Sequence, residues 1–578
     1  MKKYIVIAAL LASTGIFAQQ QDSLLRRQME LEREFNPTLQ DANKITSLPA
    51  LREPTVKKAN TAYSNWAGRT TPPLEIAMPR PGSIMTDIPY DLKKGYISLN
   101  AGNYANIDGA LGYRLIENAK QTLGFLFLHN SANGDINYVQ ESDPSSNKAF
   151  FMDNHGQLKY EHAFDAFKLG LLGAYTHSAF NYYGNTFGDT RIYDIENQSL
   201  GVANVKIDVS SSKSDWLNYA GLLDFRNFTT KYGSVPGENG MKGNQIEAMV
   251  GLNKPFEEWN STVGVDGRYF GVFYNDNSLP GIYNFQLISA SPYVGFDGYN
   301  WKARLGADVL FQFSNDNAIR VVPNASVSLN VTEKSSLYAN IKGGIDDNTY
   351  LNTMKESRYI QPMASVKPSF SILDIEAGAK IGEVPGFRFD IFGGFRKTDD
   401  EHFWVLDNHY VDDMLIGTEI WAGWITKEIL KPVYGNLSRA HAGAMIQSNI
   451  WAPLNIALRV KKNFYTVNNA LYRDAQISDA KAYNLPGIET DISADLQAMS
   501  NLKFTLNYYF KGDRWSYFKG ENVKMTNIND LNLGAIYQIN DALSINLKAN
   551  NLLFQKYDIW YGYPAQGFNA MGGFTFKF

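Results

Sequence analysis

The chain has 578 residues, a formal net charge of −4 and an aromatic content of 13%, including 34 Tyr and 34 Phe. Mild acidity argues against a nucleic-acid partner, whose polyanionic backbone calls for a basic surface. The absence of cysteine excludes disulfides and thiolate metal sites.

Lys2 and Lys3 precede an apolar run from Tyr4 to Phe17 that ends on the small residue Ala18, before Gln19-Gln20-Gln21. A basic start, a short apolar stretch and a small residue predict a secretory signal peptide over 1–18, cut after Ala18. The run is too short for the ~20 residues of a spanning helix, and with no cysteine at the cut a lipoprotein is excluded.

Residues 19–94 form a periplasmic extension in this reading. Asp22 to Phe35 is charged and helix-prone, and Pro37, Pro49, Pro54, Pro72, Pro73, Pro79, Pro81 and Pro89 follow it. Prolines at that spacing block long helices and internal strands, so a short helix leads into an extended segment. The helix carries Arg26, Arg27, Glu30, Glu32, Arg33 and Glu34. It is either a solvated leader or a dock for a periplasmic protein.

From Gly95 onward, strands recur with a period of two. Trp301, Ala303, Leu305, Ala307, Val309, Phe311 and Phe313 alternate with Lys302, Arg304, Gly306, Asp308, Leu310 and Gln312. Leu502 to Lys511 and Leu543 to Asn550 alternate in the same way. Alternate side chains point to opposite faces, and charge at this regularity suits a wet lumen. Short turns such as 117–120, 164–166, 332–334, 500–501 and 540–541 alternate with longer connections near 132–154, 179–198, 228–242, 347–362, 398–434, 464–486, 512–525 and 552–567. These features predict an all-β fold over 95–578: a transmembrane antiparallel β-barrel of about 22 strands, embedded in outer-membrane lipid.

The chain ends Gly573-Phe574-Thr575-Phe576-Lys577-Phe578. Three phenylalanines on one face of the last strand suit a barrel whose final strand meets lipid. Gly573, Phe576 and Phe578 resemble the C-terminal insertion signal of bacterial outer-membrane barrels, which implies handling by the barrel-assembly machinery. The stretch Leu547 to Leu553, with Lys556-Tyr557, Tyr561-Gly562-Tyr563-Pro564 and Gly567, resembles the end of a TonB-dependent receptor barrel of Gram-negative bacteria. The glutamine-rich mature start resembles exported proteins of the Bacteroidota. That likeness implies 22 strands and solute binding or transport across the outer membrane. The chain departs from the family before the first strand, where 19–94 shows neither a plug's apolar core nor a TonB-contacting box. It reads as a plugless barrel, and the alternative function is a non-transporting scaffold whose N-terminal segment recruits a periplasmic partner.

A lumen of that width needs a filling. The candidates are the 398–434 connection folded inward, large lumen side chains (Trp216, Arg268, Arg304, Tyr509), the 19–94 segment, or a partner. Among ligand-forming residues, Asp399, Asp400, His402 and His409 make the densest group, with Glu401, Asp407, Asp412 and Asp413 beside them. Carboxylates and imidazoles could hold a divalent cation, though without the fixed spacing of a known site, and a solvated acidic loop is the simpler expectation. Mid-loop rings at Tyr182, Tyr183, Phe187 and Tyr193 are the ligand-contact candidates. Rings at 515–518 and 557–563 are expected in the headgroup girdle. The seven histidines (His129, His155, His162, His177, His402, His409, His441) show no catalytic pattern, so no catalytic residue, no enzyme and no cofactor are expected.

Overall fold

The computed structural model describes residues 93–578 except 141–144, 185–196, 213–215, 234–238, 276–282, 315–316, 362–365, 383, 412–413, 417–418, 422–423, 473–474 and the side chains of 408–428. The signal peptide, the Asp22–Phe35 helix and the proline-rich stretch lie outside the described residues.

Twenty-two antiparallel strands span and close the barrel. Each pairs with its neighbour in sequence, and the first strand, Gly95–Gly102, also pairs with the last, Asn569–Lys577. A two-residue pairing at Ala475–Gln476 joins the same sheet without spanning. Closure is what lipid demands, because an open edge there would leave peptide groups without partners. At the seam Ile97 faces Phe576 and Leu99 faces Phe574. The Gly95 amide donates to the Phe578 carbonyl, and the Phe578 amide to the Gly95 carbonyl, each at 2.9 Å. Gly573 is obligatory here: a Cβ would sit 2.0 Å from the Leu99 carbonyl oxygen.

The two faces follow the alternation. Phe574, Phe576 and Phe578 lie exposed on the outside, while Thr575 is buried inside, accepting from Asn546 Nδ2 at 2.9 Å and donating to Ser98 Oγ at 2.9 Å. Along Trp301–Phe313, Trp301, Leu305 and Phe313 are exposed and Leu310 and Gln312 are buried. Arg304 points inward to Asp266 at 3.5 Å and lies over the Tyr293 ring. Arg268 is also in the lumen wall, bonded to Glu247 at 2.7 Å. An apolar outside and a charged inside are the pattern of a membrane barrel with a wet lumen.

Short turns gather at the rim that holds Gly95 and Phe578, and long connections gather at the opposite rim. Trp216, Trp259 and Trp451 stand exposed at those short turns, the depth at which aromatic rings meet headgroups. Trp216 is therefore not a lumen filler. It falls between strands Gln198–Ser211 and Asn218–Thr230, beyond the reach of the inner face.

Two long connections are shorter than the alternation suggests. Most of 132–154 belongs to strands Gln121–Asn137 and Ser146–Ala163. Most of 398–434 is the outer half of a hairpin, Phe387–Val411 with Trp424–Ser448. One extra residue forms a bulge between Thr398 and Glu401, with Asp400 at φ 53°. A bulge lets a ladder twist and continue beyond the membrane, and there the consecutive buried residues Phe403, Trp404, Val405 and Leu406 put apolar side chains on both faces and break the alternation.

The aromatic terminus carries the seam's last two hydrogen bonds and the stack of Phe578 on Tyr113 (6.0 Å). Deleting Phe578 is expected to lower the fraction of chain that reaches the membrane as a heat-modifiable barrel. Electrophoresis of boiled and unboiled membrane fractions reads this, and an unchanged folded fraction would show the seam closes without it.

Candidate functional site

Two connections fold into the mouth of the long-loop rim and form a packed closure among the described residues. The first contains the seven-residue helix Tyr350–Glu356, too short to be stable alone. Thr349 caps it, accepting from the Asn352 amide at 3.4 Å, and its hydroxyl reaches the wall at Gln245 Oε1, 3.1 Å away. Tyr350, Leu351 and Thr353 form the buried face.

Ion pairs fasten this connection on several sides. Arg268 Nη2 donates to Asp347 at 2.5 Å. Arg358 binds both oxygens of Asp153, at 2.8 and 3.3 Å, and lies over the Phe151 ring. Arg396, inside the wall, pairs with Asp346. Glu356 accepts from Trp404 Nε1 at 2.6 Å, and its Oε2 lies 2.9 Å from His402 Nε2. The backbone joins in: the Gln361 amide donates to the Leu430 carbonyl, and the Leu430 amide to the Tyr359 carbonyl, at 2.8 and 2.9 Å.

The second connection carries a small hairpin, Asp558–Trp560 with Tyr563–Pro564, turned by Gly562 at φ 81°. Arg514 is fully buried and donates to the carbonyls of Asp558 (2.8 Å) and Ile559. Asp558 accepts from the Gly562 amide at 3.3 Å and from Gln140. The two connections meet in an aromatic knot. Tyr359 stacks on Tyr563 at 4.2 Å, and Tyr183 packs edge-on against both, at 5.4 and 5.1 Å. Such pairs add about 0.5–1.5 kcal/mol each beyond the area they bury.

Tyr182 and Tyr183 are thus in the closure, not projecting from a loop. The Tyr182 hydroxyl donates to the Ile360 carbonyl at 3.3 Å and the Tyr183 hydroxyl to the Pro564 carbonyl at 2.8 Å. Burial pushes both phenols well above their ordinary range. Phe187 and Tyr193 lie outside the described residues, as does the His409 side chain. Asp400 is exposed on its bulge, whereas His402 is buried on the opposite side against Glu356. Among the described residues no group of three acidic or imidazole side chains is arranged to hold a metal ion. Gly573, Phe576 and Phe578 lie at the seam.

Tyr557, Trp560, Tyr561 and Tyr563 are buried in the closure, not placed in a headgroup girdle. Gly562 is what turns them inward, and an aromatic pair around glycine followed by proline was the signal for a tight hairpin. Glu356, Arg358 and Tyr359 carry no periodic signal, since a single loop turn has no repeat to display.

Tyr359→Ala is expected to weaken the closure by about 3–5 kcal/mol, the usual cost of emptying a buried aromatic site. Burial raises the Asp558 carboxyl from 3.8 to about 6, outweighing its bonds from Gln140 and Gly562 and the charge of Arg514. Between those values the closed form holds a proton that the open form releases, so closure is favoured below about pH 4 and loses that support as pH rises through 6. Amide exchange over 551–568, corrected for intrinsic rates, should therefore accelerate from pH 4 to 6.5. Asp558→Asn should flatten that dependence.

No protein-family model and no curated protein matches the sequence. Solved structures do match. The FrpB iron transporter from Neisseria meningitidis aligns with a TM-score of 0.64 at 11% identity, covering 85% of this chain and 82% of its own. The siderophore receptor PirA from Acinetobacter baumannii gives 0.63 at 11%, covering 84% and 80%. The copper transporter OprC gives 0.57 at 10%, covering 84% and 80%. At such identities the likeness is one of fold: this chain shares the 22-strand antiparallel barrel of these receptors and transporters, with no plug domain among its described residues.

Proposed function

We propose that the protein is a gated solute barrel of a Gram-negative outer membrane, with the short-turn rim in the periplasm and the closed mouth outside. The observation that carries this reading is the closure itself: a polar lumen shut at one end by two connections. They are held by partly exposed ion pairs as well as by packing. Arg358 and Asp153 keep 22% and 33% of their side chains exposed, so this pair is the fastening that water reaches most readily. The iron, siderophore and copper cargoes named for the fold neighbours favour solute passage over catalysis. Gly573, Phe576 and Phe578 serve as the signal by which the barrel-assembly machinery inserts the chain.

The completeness of the aromatic knot favours a second reading, in which the sealed barrel is a scaffold and residues 19–94 recruit a periplasmic protein. Planar-bilayer recording separates the two. In the gate reading the native protein is silent at rest, and the Arg358→Ala/Tyr359→Ala double variant passes nanosiemens-scale steps. A native barrel that conducts steadily would remove the gate. Silence in both, with folding confirmed, would favour the scaffold, and deletion of 22–60 should then lose co-purifying periplasmic protein.

A further inference from the structure

Below the outer half of the long hairpin, three neighbouring strands turn a group of basic side chains into the lumen. Arg396 on Phe387–Val411 stands directly across the ladder from Arg439 on Trp424–Ser448. His441 comes two residues after Arg439, so it shares that face. On the next strand, Leu454–Tyr472, Lys461 lies across from Gly443, and Arg459 is two residues away on the same side. Arg439, His441 and Lys461 are buried, at 4%, 7% and 3% relative exposure.

Their charges are unequally balanced. Arg396 is already engaged, paired with Asp346 and donating to Ser371 and Thr398. Lys461 has Glu489 at 3.8 Å, and that carboxylate also accepts from Asn463 Nδ2 at 2.8 Å. Among the described residues, neither Arg439 nor Arg459 has a carboxylate within ion-pairing distance. Asp374 and Glu376 lie beyond Arg396 on Ser369–Ile381, and Glu401 lies beyond the bulge. A buried guanidinium without a counter-charge is costly. Of the Arg439 nitrogens only Nε is enclosed without an acceptor, which leaves the terminal pair of the fork to the lumen. His441 Nδ1 is likewise enclosed without a partner. Its ring lies over Gly394, where a Cβ would sit 2.6 Å from Cε1. Asn463 and the Tyr465 hydroxyl both donate to the Pro486 carbonyl at 3.0 Å, so the chain at Pro486 bounds the patch on one side.

What this wall lacks is negative charge. A cation would be repelled by Arg439, Arg459 and Lys461, and a neutral hydroxyl would leave the Arg439 charge uncompensated. A carboxylate or phosphate group brings both the charge and the lone pairs that match a guanidinium fork, with lysine as a point charge beside it. We propose that this patch of the lumen wall binds an oxyanion, the carboxylate or phosphate group of a solute. Arg439 is its principal contact, and Arg459 and Lys461 flank it. The proposal rests on the solute-handling reading of the barrel and names the charge of the group it handles.

Phosphorus NMR on the full chain tests it, with inorganic phosphate as probe, in a non-ionic detergent at low ionic strength, where screening is weak. The native protein should broaden the phosphate line, and acetate should compete that broadening away. Arg439→Gln removes a charge that no carboxylate depends on and should weaken phosphate binding roughly tenfold, the loss of one charge-assisted contact. Lys461→Gln should weaken it as well. Lys120→Gln, at a short turn where Lys120 is 64% exposed beside Asp165, should leave it unchanged. Heat modifiability confirms that the variants remain folded, and either lumen variant alone suffices if the other fails to fold. No broadening by the native protein, unchanged affinity in Arg439→Gln, or an equal loss in Lys120→Gln would each overturn the proposal. Phosphate binding by a barrel that stays silent in bilayers would keep the site and remove transport. Conduction without binding would do the reverse.

Discussion

The backbone pairing between the first and last strands is the constraint on which the rest of the molecule depends. Once Gly95–Gly102 and Asn569–Lys577 are joined, every spanning strand has two neighbours and the sheet has no edge. A lipid environment then costs the backbone nothing, and side chains alone decide which face is which. The outside becomes apolar because lipid cannot solvate charge. The inside keeps Arg268, Arg304, Arg396 and Lys548 because each has an acidic partner, Lys548 reaching across the seam to Asp108 at 2.9 Å.

A ring of this circumference leaves a wide space at its centre, and the closure spans it with very little secondary structure. Among the described residues its inward elements are one short helix and small hairpins, tied to a rigid wall. The fastening combines two kinds of contact. Interlocked tyrosines give a tight apolar contact, while arginine–carboxylate pairs fix position, most of them buried and one, Arg358–Asp153, partly exposed.

The barrel was largely legible in the sequence because a lipid slab imposes one rule on every strand. The alternation at Trp301–Phe313 and at Phe574–Phe578 needs no tertiary knowledge to read, and short turns such as Ser500-Asn501 punctuate it. The closure was not legible for an equally physical reason. Rings at Tyr557, Trp560, Tyr561 and Tyr563 look the same whether they meet headgroups or one another, and only the turn at Gly562 settles their direction. His402 misleads in a similar way. It follows Asp399 and Asp400 in sequence, but the bulge shifts the register and sends its ring inward to Glu356. A cluster in one dimension is separated in three. The Asp530–Tyr557 and Asn532–Asn551 contacts span 27 and 19 residues, beyond any local pattern.

The seam also dictates an order of events. The first strand's partner on one side, Asn569–Lys577, follows every other spanning strand in the chain, so that edge must wait, unpaired, until all of them are made. Until then the waiting edge is an open template for a neighbouring chain's strand. The barrel's hazard is therefore greatest before it exists, and the pairing of these two strands is what ends it.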